Sequence, residues 1–358
     1  MILLLLADAR AVHTERYKTA LEKQGVTVVL ASMEHTGYED IPINCPTGIQ
    51  GVDYRLAARK IKEIVERENP DIVDAHSASG YGYAAAVGGL SENCPLAVHC
   101  LGSDILISAK KSAFHKKRIQ TALSGASIVF VDSEYLRSEA EAIYPNADYE
   151  VIYWGAEKRI FELYYHNYGV SANDNAEPIK ALVPRPHERV YNNRYIIEAL
   201  ADYINNKYLD LYFPDWGSGI EEFRKYTEIE CPSGRINYYS RMIRDDYIEF
   251  VDSFDMYISA SLSDSSPASL IEAMAVGLVP LVGDIPGVAE LMKNSPELLY
   301  DLKKPKSLRD LFESILDLRL DFKSMCQSNH TMIREIGCFE DNIDSTIQIM
   351  QSLIDNNA

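Results

Sequence analysis

The sequence predicts an α/β protein built from two doubly wound, parallel-sheet units. Three observations carry that prediction. Continuous apolar runs alternate with amphipathic helical patterns, which is how parallel strands covered on both faces read. The alternation stops at one polar stretch, "YGVSANDNAEPIK" (168–180), and then restarts with the same rhythm. The chain has 358 residues, enough for two domains or at most three, and 47% of them are apolar, enough to build real cores.

Taken in order, "ILLLLAD" (2–8) is the first strand, and "TERYKTALEKQG" (14–25) a helix stopped by Gly25. "VTVVLAS" (26–32) is the second strand, and the helix "YRLAARKIKEIVERENP" (54–70) leads into the strand "DIVDAHS" (71–77). A helical "GYAAAVGG" (82–89) precedes the strand "PLAVHC" (95–100). The helices 114–126 and 134–145 precede the strands "SIVFVDS" (127–133) and "YEVIYWG" (149–155). After the polar stretch, the best candidate for a hinge, "IKALVP" (179–184) is a strand and "NNRYIIEALADYINN" (192–206) a helix. Strands at 209–215, 235–240, 255–261 and 278–284 follow, with a helix at 220–227 and a loop at 228–234 between the first two of these. The last 50 residues are mostly helical in pattern. Connections are expected to be right-handed crossovers, with ligands beyond the carboxyl ends of the strands, in a cleft between the units.

Composition excludes several classes. Thirty-five basic against 53 acidic residues give a formal charge of −18, which argues against wrapping nucleic acid. It also disfavours broad adhesion to anionic lipid. "KKSAFHKKR" (110–118) is the one local basic patch, and an ordinary solvated helix face explains it equally well. Six widely spaced cysteines (45, 94, 100, 231, 326 and 338) with no C-x-x-C pair suggest a reducing, cytoplasmic setting and give no zinc signal. "MILLLLA" has no basic segment before it and no cleavage site after it, so a buried strand is expected rather than a signal peptide.

The richest local signal spans residues 259–277, where "SASLSD" (259–264) runs into "SSPASLIEAMAVG" (265–277). Ser266 is expected as the helix N-cap, Pro267 at the first helical position and Gly277 as the stop. The amides of Ala268, Ser269 and Leu270 would then face back into the loop as an anion site, or the helix is simply well capped. Glu272, one turn in, is either a solvent-facing carboxylate between buried positions or an acceptor for a pair of hydroxyls, as in ribose-binding folds. Asp264 is either near that ligand or only a local backbone acceptor.

Asp264 followed by "SSPASLIEAMAVG" resembles the signature of the retaining glycosyltransferases of family 4, which have the GT-B fold: an acidic residue, seven others, a glutamate, then Ala-Met-Ala-x-Gly. Asp264 stands here where Glu is usual. The resemblance extends over most of the chain, through the first strand, loop and helix, "VHCLGSDIL" (98–106), "VFVDSEYLRSEA" and "VIYWGAE". It implies a GT-B α/β protein of two Rossmann-like domains facing across a deep cleft. The expected boundaries are 1–170 for an acceptor-side domain and 171–335 for a nucleotide-sugar donor domain. Residues 336–358 would form a C-terminal helix packing back on the first.

By the same resemblance Glu272 would bind the donor ribose, and Ser269 with Leu270 would present amides to the diphosphate. Asp264 and the loop 283–290 would lie near the transferred sugar, with Glu290 structural. His99 matches the histidine facing the donor sugar; its alternative is a satisfied histidine at the end of a buried strand. Asp104 would hold the local loop or touch the same site, while His13 falls in the acceptor loop and His76 is a weaker candidate. "LVPRPHERVYNN" supplies Arg185 as a phosphate clamp without the family's usual lysine, and so resembles a Pro-Arg…Tyr-Asn subset. Arg189 or Arg241 would compensate. The implied activity is retaining transfer of a hexosyl or N-acetylhexosaminyl group from a nucleotide sugar, UDP before GDP, to a glycan, lipid-linked or small-molecule acceptor. No metal or other cofactor is expected, and nothing points to a nucleic-acid partner. Transient contact at the inner face of the membrane is compatible with it. The alternatives are a nucleotide-sugar epimerase, a phosphorolytic enzyme, or a catalytically weakened binding member of the same fold.

Overall fold

The computed structural model describes residues 1–44, 50–90, 94–165, 177–232, 234–317 and 321–357. The expected hinge at 168–180 lies outside the described residues except for its last four positions, and Cys45 lies outside them altogether. The chain divides into two compact units, Met1–Tyr153 with Glu340–Ala358, and Trp154–Phe339.

In the first unit seven strands form one parallel sheet. They are β1 (Ile2–Leu6), β2 (Thr27–Ser32), β3 (Ile41–Pro42), β4 (Ile72–His76), β5 (Leu96–His99), β6 (Ile128–Val131) and β7 (Tyr149–Val151), in the order β3-β2-β1-β4-β5-β6-β7. The order reverses between β1 and β4, the switch point of a doubly wound sheet. Leu3 to Leu6 are fully buried, as a central strand covered on both faces requires.

The first two strands beyond the switch end in an unusual way. β4 runs into a π-helical turn, Ser77–Tyr81, and β5 is followed by another, Asp104–Ser108. Ser77 enters its turn at a φ of 75°, a left-handed conformation that a serine adopts only when its surroundings impose it. Asp104 supplies part of that constraint: its Oδ2 accepts from the Ala78 amide at 2.8 Å, and its Oδ1 from those of Ile105 and Leu101 at 3.0 and 3.1 Å. The expected helix at 82–89 is therefore only Gly82–Val87, entered through the first turn.

The second unit repeats the plan with six parallel strands: β8 (Ile179–Leu182), β9 (Leu209–Pro214), β10 (Ile236–Tyr239), β11 (Met256–Ser259), β12 (Val279–Gly283) and β13 (Leu299–Tyr300). Their order is β10-β9-β8-β11-β12-β13, so the switch point falls between β8 and β11. The helix after β9 is Ile220–Glu230, longer than the expected 220–227 at the expense of the loop. No helix among the described residues is long and apolar enough to cross a membrane.

Candidate functional site

The switch point of the second sheet gathers most of the residues singled out in the sequence. Arg185 follows β8, and Asp264 lies in the loop after β11; the guanidinium Nη2 donates to Asp264 Oδ2. Tyr191 places its ring 5.2 Å from the guanidinium carbon, and the Asn193 side-chain amide donates to the Arg185 carbonyl at 3.0 Å. The Pro-Arg…Tyr-Asn segment thus folds its own later residues around its arginine. Burial opposes the Arg185 charge, but Asp264 with the Tyr257 and Tyr191 hydroxyls outweighs it, so the guanidinium is held even more firmly protonated than usual. Asp264 is accordingly the counter-ion of Arg185, a role the sequence did not suggest for it.

The helix after this loop is Ala268–Val276, with Pro267 rather than Ser266 at the N-cap, one position later than expected. The Leu270 and Ile271 amides both donate to the Pro267 carbonyl, at 2.9 and 3.1 Å. Leu270 therefore already has an acceptor within the turn. The amides of Ala268 and Ser269 have no carbonyl acceptor among the described residues. Ser269 Oγ lies 3.1 Å from the hydroxyl of Tyr257, a fully buried residue of β11. Two further buried polar atoms here, Arg185 Nε and Ser266 Oγ, have no hydrogen-bond partner among the described residues. Buried donors are rarely left unpaired without a functional reason. Gly287 makes the loop's position possible: a Cβ there would stand 2.1 Å from the Ser265 carbonyl oxygen.

Glu272 is buried, not solvent-facing, and Arg244 Nη2 binds its Oε1 at 2.6 Å. The same guanidinium donates through Nε to Glu157 Oε1, also at 2.6 Å. Burial works against the Arg244 charge and the two carboxylates more than restore it. Arg244 escaped the sequence reading, which favoured Arg241 three residues earlier; its signal was an arginine opening an otherwise acidic helix, Arg244–Asp252. Arg241 instead stacks on Trp216, 5.3 Å from the ring centroid. Arg189 is exposed, in a short 3₁₀ turn, Arg189–Tyr191. Glu290 lies in the helix Pro286–Leu291.

In the first unit the switch point holds a buried cluster. Asp74 and His76 are two residues apart on β4, and His99 is the register partner of His76 on β5, so all three side chains share one face. His99 Nε2 lies 3.3 Å from Asp74 Oδ1 and His76 Nε2 lies 3.7 Å from Oδ2, while the Tyr17 hydroxyl donates to Oδ2 at 2.8 Å. Burial would raise the Asp74 pKa, but the two imidazoles hold it well below the usual carboxylate range. Burial pushes His76 down, and burial with the nearby His76 pushes His13 down to about 4. His99 and His76 therefore meet through Asp74, a residue the sequence reading passed over.

Two such doubly wound parallel sheets, each with polar side chains gathered around its switch point, are the plan of the GT-B fold. Residues 2–133 match the family described as Glycosyl transferase 4-like, and residues 175–332 match Glycosyl transferases group 1. The chain has the GT-B fold, and each of the two matched segments is similar to a glycosyltransferase family, the first 4-like and the second group 1. It is 25% identical over 276 residues to the putative teichuronic acid biosynthesis glycosyltransferase TuaC of Bacillus subtilis (strain 168). That match covers 73% of this chain and 64% of the relative, under two thirds of its length. Its fold is also that of a sucrose-phosphate synthase from Thermosynechococcus elongatus, with a TM-score of 0.78, 13% identity, and 99% and 100% of the two chains covered. Anabaena HepE, solved in complex with UDP-glucose, gives a TM-score of 0.76 at 14% identity over 98% of this chain and 100% of that one.

Proposed function

We propose that the protein transfers a sugar, with retention of configuration, from a nucleotide-activated donor to a glycan or lipid-linked acceptor. The observation that carries this reading is Arg185. It is a largely buried guanidinium whose Nη2 is held by Asp264 while, among the described residues, its Nε has no acceptor, beside a helix whose first two amides have no carbonyl acceptor there. A diphosphate supplies the acceptors that set lacks, since guanidinium grips phosphate oxygens in pairs and helix N-termini favour anions. Glu272 would take the donor ribose, with Arg244 fixing the orientation of its carboxylate.

In the proposed reaction the bond between the anomeric carbon and the donor phosphate oxygen breaks, and the acceptor oxygen bonds to that carbon on the same face. The acceptor proton passes to the leaving diphosphate. Charge grows on the diphosphate as the bond breaks, so preformed donors that meet it there lower the barrier. UDP-sugars come first as donor, in line with the nucleotide named for HepE. A surface-polymer precursor comes first as acceptor, in line with the pathway named for TuaC.

A thermal-shift panel of UDP-, GDP- and ADP-sugars tests the donor site. One donor is expected to raise the melting temperature, and Glu272→Ala and Arg185→Lys to abolish that rise. No response to any nucleotide sugar at millimolar concentration would sink the donor site. Anomeric analysis of the product separates retaining transfer from epimerisation, which would release an altered sugar without any acceptor.

A further inference from the structure

The switch point of the first sheet points to a second ligand. We infer that Asp74, His76 and His99 form a binding site for a divalent transition-metal ion, with Zn²⁺ the first candidate. One ligand atom from each of the three residues lies within 4.8 Å of the others. His99 Nε2 lies 3.3 Å from Asp74 Oδ1, the separation of ligands sharing one ion at about 2.0–2.2 Å in tetrahedral or cis positions, and His76 Nε2 approaches the same carboxylate from the side of Oδ2 at 3.7 Å. Two imidazoles and one carboxylate suit zinc and its neighbours in the first transition row, not magnesium or calcium, which prefer all-oxygen shells.

Two observations favour a cation over a purely structural cluster. Asp74 is fully buried, and among the described residues no lysine or arginine pairs with it; the groups that face its carboxylate are the two imidazoles and the Tyr17 hydroxyl. Tyr17 provides what metal sites commonly have behind a ligating carboxylate: its hydroxyl occupies Oδ2 at 2.8 Å and leaves Oδ1 turned toward His99. The backbone supports the same geometry, because β4 and β5 fix the histidines in register and the strained turn at Ser77 follows His76 directly.

The test uses the full chain, stripped with a chelator and titrated with Co²⁺ alone. Visible ligand-field absorption that saturates at one equivalent is expected, without thiolate charge-transfer bands, and Zn²⁺ at one equivalent should abolish it. His76→Gln and His99→Gln should each remove the absorption, while Tyr17→Phe should weaken Co²⁺ binding by about 10- to 100-fold. His13→Gln should leave the titration unchanged. Absence of ligand-field absorption in the wild-type chain overturns the site, as does an unchanged titration in His99→Gln. The readout needs neither donor nor acceptor, so its failure leaves the proposed sugar transfer untouched, and failure of that transfer leaves the metal site standing.

Discussion

Arg244 stands between two carboxylates, and removing it exposes what it holds. Arg244→Gln leaves Glu157 and Glu272 facing each other without the shared cation. Breaking such pairs costs about 3–5 kcal/mol when they are fully buried. Arg244 keeps about a third of its side-chain surface in solvent, so a loss nearer 2 kcal/mol is expected in urea unfolding, with Arg244→Lys recovering part of it. Wild-type stability in Arg244→Gln would show the triad to be energetically idle. Asp104 makes a pH prediction. Burial lifts its pKa to about 6 although backbone amides bond to it, against an ordinary value of 3.8. The folded state therefore binds this proton more tightly than the unfolded chain does. The contribution is full below pH 3.8 and is lost as pH rises through about 6, on the order of 3 kcal/mol in all. In Asp104→Asn that loss between pH 4 and 6.5 should vanish from the stability profile; its persistence would place the effect elsewhere. Neither residue's energetics were legible in the sequence, since Arg244 and Asp104 acquire their partners only through folding.

At the scale of elements, the close approach of the helix Pro286–Leu291 to the loop 264–265 is the sharpest constraint at the candidate donor site. A Cβ on Gly287 has no rotamer to escape into and would sit 2.1 and 2.7 Å from the Ser265 and Asp264 carbonyl oxygens. Gly287→Ala must therefore push the loop, and Asp264 with it, away from Arg185. A destabilisation of about 1–3 kcal/mol is expected, together with loss of the thermal response to the donor. Val288→Ala, a neighbouring trim that adds nothing, should keep that response. If Gly287→Ala responds to donor like the wild type, the loop is not held where the site needs it. Every strand expected from the sequence is present, because long apolar runs between helical patterns leave a parallel sheet as the one arrangement that buries them. The two missed strands, β3 and β13, have two residues each and carry no pattern to read. The helix Ala268–Val276 was legible in position but not in its cap, since Ser266 and Pro267 both favour a helix start and only the backbone decides between them. The Asp74–His76–His99 cluster is illegible for another reason: it has no ligand spacing along the chain, because its residues meet across two strands.

At the scale of the whole molecule, the chain crosses from one compact unit to the other and back, and its last residues belong to the first unit. The helix Phe339–Asn357 buries Ile343, Thr346 and Met350, and the Asn342 side chain donates to the Tyr153 carbonyl at 2.8 Å, closing the first unit's own chain ends together. Fully burying one large aliphatic side chain contributes about 1.5–3 kcal/mol, so Ile343 and Met350 together supply an appreciable part of the roughly 5–15 kcal/mol that keeps a domain folded. A chain ending at residue 339 should therefore lose stability in the unit Met1–Tyr153, far away in sequence, and leave the unit Trp154–Phe339 intact. Calorimetry distinguishes the two. The truncated chain should show one weakened or absent transition and one preserved, and a nucleotide sugar that binds near Arg185 should shift only the preserved one. Ile343→Ala with Met350→Ala in the full-length chain should lower the same transition in the same direction. Should truncation lower both transitions equally, the terminal helix would have to be counted as part of both units.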